Sequence, residues 1–330
     1  MNRSLPGQQR GAALLIVLFI VALISILATE MGTRLQLQIQ RAQNIKDNNQ
    51  AHWYALGAEE YAKTAILDIY EIDDGKVSLN QPWVEPLQFP VDGGVIEVEL
   101  IDAQTCFNVN ALAQAPDPTN NLGANTQVSP LQSAFTQLIL NVNNNDTYQA
   151  ETFRDSVIDF LDDNQQTRPF GAEDEVYRAM PNPYITPNRP LVDISELRLV
   201  NGVQLNWFAD LLEQVCVLPN NQRLQININT LTMVHAPLLA ALTTLSLDDA
   251  QNLIENRPEE GYDNVGDFLA EPILDTVALT AQQRAWFTIS TDYFTLRTTA
   301  LFNDAQFTMT SLLYVSGQQR ADVIQRRFGS

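Results

Sequence analysis

The stretch RGAALLIVLFIVALISILATE, residues 10–30, decides how the rest of the chain is read. From Ala12 to Thr29 there are eighteen residues without a charge, and Glu30 is the first acid in the chain. At the α-helical rise this run extends roughly 27 Å, close to the thickness of a bilayer's hydrocarbon core. Arg3, Arg10 and the α-amino group precede it, a bias that places the bulk of the chain on the far side of the membrane.

The position of the small residues says how such a segment is processed. A secretory signal needs a small-x-small site after its apolar run, and Leu27, Ala28 and Thr29 supply a poor one. The small pair Gly11-Ala12 lies before the run instead. This arrangement resembles a type IV prepilin leader. The resemblance implies cleavage by a prepilin peptidase after Gly11, N-methylation of the new N-terminus at Ala12, and retention of the membrane helix. Pilins and most pseudopilins carry glutamate at the fifth mature position, which here is Ile16. That departure narrows the resemblance to the K-type minor pseudopilins of type II secretion systems. An uncleaved anchor holding a generic periplasmic calcium-binding interaction module is the alternative.

Composition agrees with an anchored body outside the cytoplasm. About 300 residues follow the apolar run, enough for one large domain or two ordinary ones. A net charge of −20 argues against nucleic acid as a partner, because phosphates demand a basic face. Only His52 and His235 accompany the two cysteines, too few ligands for a zinc site. In an oxidising periplasm Cys106 and Cys216 read as one disulfide, with two buried thiols as the other reading.

No proline interrupts residues 12–71, and apolar positions at Leu35, Ile39, Ala42 and Ile45, then Leu56, Ala58, Ala62, Ala65, Ile66 and Ile69, keep a helical period. The helix is expected to end near Asp73-Asp74-Gly75. Residues 95–101 alternate as a half-buried strand behind Gly93-Gly94, and 293–302 with 307–315 read as an antiparallel hairpin. The expected fold is α+β: a long N-terminal helix packed on a small antiparallel sheet, a pseudopilin fold, with a large all-α domain inserted between strands. The segments are a leader over 1–11, the long helix over 12–73 with 12–29 in the membrane, and the first part of the headgroup over 74–106. The inserted domain follows over 107–285, the C-terminal hairpin over 286–316 and a tail over 317–330.

The insert contains a repeat: Asn108-Val109-Asn110-Ala111-Leu112 returns as Asn227-Ile228-Asn229-Thr230-Leu231. Each copy precedes two helical segments and a loop. Asparagines beside a short extended pair cap helices and brace turns, and that structural role is the reading favoured here. The second copy, from Leu245 to Arg257, is similar to helix-hairpin-helix modules that grip DNA. It lacks their Gly-x-Gly hairpin and carries Asp248, Asp249, Glu259 and Glu260, so the likeness does not extend to activity.

Between the copies lies an acidic constellation: Asp159-Phe160-Leu161-Asp162-Asp163-Asn164, Gly171-Ala172-Glu173-Asp174-Glu175-Val176-Tyr177, Pro183-Tyr184 and Asn188-Arg189-Pro190-Leu191. Carboxylates and an amide oxygen on three loops suit calcium, though a solvated acidic loop has the same composition. These motifs follow the K-type pattern, with Asn164 where the family has aspartate. The resemblance implies structural calcium at Asp162, Glu173 and Asp174, with Asp159, Asp163, Asn164 and Asn188 as further ligands. It also implies I-type and J-type minor pseudopilins, other pseudopilus subunits, the inner-membrane secretion platform and prepilin peptidase as partners. The role implied is to cap a pseudopilus tip and promote its assembly for export of folded proteins, from a single-pass inner-membrane position with the body in the periplasm. No Ser/His/Asp arrangement, nucleophile elbow or metal-hydrolase motif occurs, so no enzymatic activity is expected; acid pairs such as Asp162/Asp163 are common in loops.

Overall fold

In the computed structural model one helix, α1 (Arg10–Ile72), runs for 63 residues, about 95 Å at the α-helical rise. Residues 10–114, 128–143 and 146–329 are described; most of the expected leader, residues 1–9, lies outside them. None of the apolar window at the start of α1 is buried inside the protein. The second half docks. Ala51, Ala55, Ala58, Ala62, Ile66 and Ile69 form a buried stripe at spacings of three and four, and the four alanines let the helix approach a sheet closely. Leu35, Ile39 and Ile45 continue apolar character towards the uncharged run at the start of α1 but stay exposed in the single chain. α1 stops where the sequence places its end. Asp74 and Gly75 take positive φ, and Gly75 N–H bonds the Tyr70 carbonyl at 3.0 Å.

After α1 come β1 (Leu87–Val91), β2 (Gly94–Asp102) and β3 (Phe107–Asn108). The helical region holds α2 (Pro130–Val142), α3 (Thr147–Leu161), α4 (Asp174–Arg178) and α5 (Leu205–Leu212). It continues through β4 (Val215–Cys216), β5 (Ile226–Asn227), α6 (Ala236–Thr243), α7 (Leu247–Glu255), α8 (Val265–Leu269), α9 (Ala281–Arg284) and β6 (Phe287–Thr288). Three long strands close the chain: β7 (Tyr293–Phe302), β8 (Ala305–Ser316) and β9 (Arg320–Phe328).

The main sheet has the order β1-β2-β7-β8-β9, with every neighbouring pair antiparallel. Its inner face (Ile96, Val98, Phe294, Leu296, Ala300, Met309, Leu313, Val315) packs on the α1 stripe as one core. The insert has its own core, running from Phe107 to Phe287. The architecture is α+β, as expected. Two elements differ from the sequence reading. Residues 317–330 are not a tail, since β9 pairs with β8 along the edge of the sheet. Its charge hid it: Arg320, Asp322, Arg326 and Arg327 interrupt a strand whose inward apolar positions are only Ala321 and Val323, a pattern that protects sheet edges. The insert is also not purely helical. β3 pairs with β4 and β5 with β6, each a parallel two-residue ladder.

Those ladders show what the repeat does. Each opens a unit, 107–216 or 226–288, whose last strand returns beside its first. Asn110 Oδ1 accepts from Leu191 N–H at 2.8 Å while its Nδ2 donates to the Leu191 carbonyl at 2.9 Å. Asn229 makes the same pair of bonds to Tyr262, at 2.8 and 2.9 Å. Both side chains are fully buried, so each clip satisfies a backbone N–H and C=O with no water available. Gly261 accompanies the second clip: it has φ +75°, and a Cβ there would stand 2.7 Å from the Asn229 amide. Replacing Asn229 by alanine strands the Tyr262 N–H and C=O. A loss of about 2–4 kcal/mol is expected, measurable as a shift in the denaturation midpoint.

The insert is placed by the ends of the sheet. It leaves at Asp102 and returns at Tyr293, where Asp102 stands opposite Phe294. Asp102 is buried, and burial raises its pKa even though Gln104 N–H, Thr230 Oγ1 and Asn227 Nδ2 all donate to it. The Tyr70 hydroxyl near the end of α1 donates to the Thr291 carbonyl at the same end. At the opposite end, Asn303 in the β7–β8 turn reaches Asp47 at 3.2 Å. The insert therefore sits at the end of the body farthest along α1 from its apolar segment.

Candidate metal centre and anchoring helix

The acidic constellation gathers at the C-terminal end of α3. Asp159 is fully buried on the last turn, where the loop returns beneath it: its Oδ2 accepts from Arg168 N–H at 3.1 Å. Gly171 is needed for that approach, because a Cβ there would stand 1.9 Å from Asp159 Oδ2. The Arg168 guanidinium lies among the acids, 3.4 Å from Asp159 Oδ1 and 3.6 Å from Asp162 Oδ2. Burial, with Glu173 and Asp162 adding repulsion, pushes the Asp159 carboxyl up to about 8. Burial and the charges of Asp162 and Asp174 push Glu173 up to about 7.

Among the described residues, Asp159 Oδ1, Glu173 Oε1 and Asn188 Oδ1 are buried oxygens without a hydrogen-bond donor. Asn188 sits at φ +44°, with its Nδ2 turned to the Asn164 carbonyl at 3.5 Å. Asp162 caps the Asn164 N–H at 3.2 Å. The other two carboxylates expected as ligands are arranged differently. Asp174 is satisfied by Thr186 N–H and Oγ1, at 2.9 and 2.8 Å, and by Arg178 at 2.8 Å; the Thr186 bonds hold its pKa low. Asp163 is exposed. No three His, Cys, Asp or Glu side chains among the described residues converge tightly enough to hold a metal by themselves. The donor set is oxygen only, the Glu173 and Asn188 oxygens without a donor are buried, and Gly171 leaves room where a Cβ would meet Asp159. These features fit a hard cation completed by backbone oxygens and water. Arg168 is the residue sequence reasoning missed; its signal was the cation set between two acidic motifs.

The expected processing residues lie at the start of α1, with Gly11 and Ala12 both helical. Ile16 points outward in the apolar run, so the position of the missing glutamate faces outside the chain. The cysteines do pair: Cys106 and Cys216 are bonded, with Cα atoms 5.6 Å apart, beside the β3–β4 ladder. One anchoring contact was invisible in the sequence. Glu59, in the small-residue segment of α1, is buried at 1% exposure beneath β9. Arg326 grips it through two bonds of 2.8 and 2.7 Å, and Ser311 Oγ adds a third at 2.6 Å.

Comparison with known proteins follows the same division of the chain. Two models of type II secretion system protein K match residues 105–220 and 226–290, close to the two repeat units. The type II secretion system protein K of Pectobacterium carotovorum subsp. carotovorum is 36% identical, covering 98% of this chain and 97% of the relative. That of Klebsiella pneumoniae is 37% identical with the same coverage. The crystal structure of the GspK-GspI-GspJ complex from the enterotoxigenic Escherichia coli type 2 secretion system includes a chain similar to this one. The TM-score is 0.75 at 33% identity, covering 88% of this chain and 99% of that one.

Proposed function

Since the chain belongs to the type II secretion system protein K family, we propose that it is a minor pseudopilin capping the pseudopilus tip. In this reading it joins I-type and J-type pseudopilins and promotes filament assembly for export of folded proteins. The similar chain was solved together with GspI and GspJ, which supports those two partners. The observation that carries the tip position is the placement of the insert. Some 180 residues are stacked on the end of the sheet farthest along α1 from the apolar run, where a further subunit above would collide with them. The exposed face of α1 from Leu35 to Ile45 then packs on neighbouring subunits, and Ile16 leaves no uncompensated carboxylate in lipid. The protein is non-enzymatic, crosses the inner membrane once and holds its body in the periplasm. N-terminal sequencing after coexpression with a prepilin peptidase tests this: the mature chain starts at N-methylated Ala12, whereas a start at Met1 contradicts it.

Calcium belongs to the same reading as a structural ion. Glu173 and Asn188 would hold it with buried oxygens that no donor reaches, and Asp159 and Asp162, beside the Arg168 guanidinium, would join them. Bound there, it adds to the single positive charge that Arg168 places beside Asp159 and Asp162. At 100 times its dissociation constant, calcium should stabilise the protein by about 2.7 kcal/mol. That corresponds to a rise of roughly 5–10 °C in melting temperature. The double variant Asp159→Asn, Glu173→Gln should abolish the rise, and indifference of the unmodified protein to calcium and EGTA counts against the site.

A further inference from the structure

A cleft of about 750 Å³ opens between the insert and the distal end of the sheet. One wall is the loop carrying Arg189, the other is the linker between the two repeat units with Asn220 and Arg223, and Tyr314 with Asp292 line the sheet side. Both walls are held by the first Asn-Val-Asn copy. Asn108 Nδ2 donates to the Asn221 and Arg223 carbonyls at 2.9 and 3.1 Å, and its Oδ1 accepts from Leu218 N–H at 3.2 Å. Asn110 clips Leu191 in the opposite wall. Two buried asparagines of one motif thus fix the spacing of the two loops. An open cleft with such rigid walls is preorganised.

Its chemistry narrows the ligand. Arg189 is already engaged by Glu196 at 3.2 Å and by the Pro190 carbonyl at 2.8 Å, and the cleft's other two charged residues, Arg223 and Asp292, are opposite in sign. The walls therefore carry little net charge, which disfavours an acidic or a basic ligand. What they offer is planar donor and acceptor groups, the amides of Asn220 and Gln225 beside a guanidinium and a carboxylate. The half-buried Tyr314 ring, packed on Tyr293 with centroids 5.0 Å apart, adds an aromatic surface. Paired polar groups around an aromatic face match neighbouring hydroxyls over a C–H face. We infer that this cleft binds a neutral oligosaccharide of two or three sugar units. The cleft volume falls within the range of small-ligand sites.

The test uses the full chain in a detergent without a sugar head group, such as a dimethylamine oxide. Saturation-transfer NMR and calorimetry are run with maltotriose, cellotriose and chitotriose. At least one trisaccharide should bind saturably. Arg223→Gln and Asn220→Gly change exposed side chains, and glycine accepts the φ of +60° at position 220, so the melting temperature stays in place, yet each should weaken that binding by about 10-fold or more. Tyr314→Ala should remove the saturation-transfer signal. The inference is overturned if none of the three sugars binds at millimolar concentration, or if binding survives unchanged in Arg223→Gln and Asn220→Gly.

Discussion

Replacing Cys106 and Cys216 together by alanine is expected to destabilise the body by about 4–5 kcal/mol, lowering its melting temperature by roughly 10 °C. The separation of 110 residues sets that size, since a link closing so long a loop removes much chain entropy from the unfolded state. The bond also joins the two strands at the base of the first repeat unit, whose ladder is only two residues long. The second unit has no such link; buried Asn227 and Asp102 hold its base instead. Loss of the disulfide should therefore appear in hydrogen exchange first over 107–216, with 226–288 still protected. A melting temperature unchanged within a degree would show that the link contributes little.

The second large effect is expected at the helix–sheet contact. Removing Arg326 strands Glu59 in the core with only the Ser311 hydroxyl as partner. About 2–4 kcal/mol should be lost, less than for a fully buried pair because Arg326 is partly exposed. The pH dependence separates this from a packing loss. Burial alone would raise the Glu59 pKa, but the bonds from Arg326 and Ser311 and the Arg326 charge bring it below the ordinary value. A lowered carboxylate contributes stability that is present above its unfolded pKa and lost as pH falls through the folded one. In Arg326→Ala the burial effect dominates and the pKa rises, so the buried carboxyl is relieved by protonation. The difference between the two proteins should be largest near neutral pH and shrink on acidification. A difference independent of pH would mean that Arg326 acts through packing alone.

The legible parts of this fold were the ones written in periodic apolar residues. The long helix, β2 and the β7–β8 hairpin carry that signal, and Asp73-Asp74-Gly75 marks the helix end. β9 carries arginines at an edge and β1 contains Pro90, so neither announces itself by pattern. The repeat was visible as Asn-x-Asn, but its purpose lay in clips to Leu191 and Tyr262, 81 and 33 residues away. The acidic motifs were legible as a group. Their division was not: Glu173 and Asn188 leave buried oxygens free, Asp159 faces Arg168, and Asp174 is consumed by Thr186 and Arg178. That outcome depends on which way the loops turn, which spacing does not encode.

In the proposed function α1 is an assembly handle and the insert a cap. Cryo-electron microscopy of pseudopili assembled with I-type and J-type subunits, with this chain tagged on its insert, tests that most directly. A single copy at one filament end is the predicted result, with the insert outermost and calcium supplied throughout. Copies distributed along the shaft, or filaments of unchanged length and number when the chain is omitted, would contradict it.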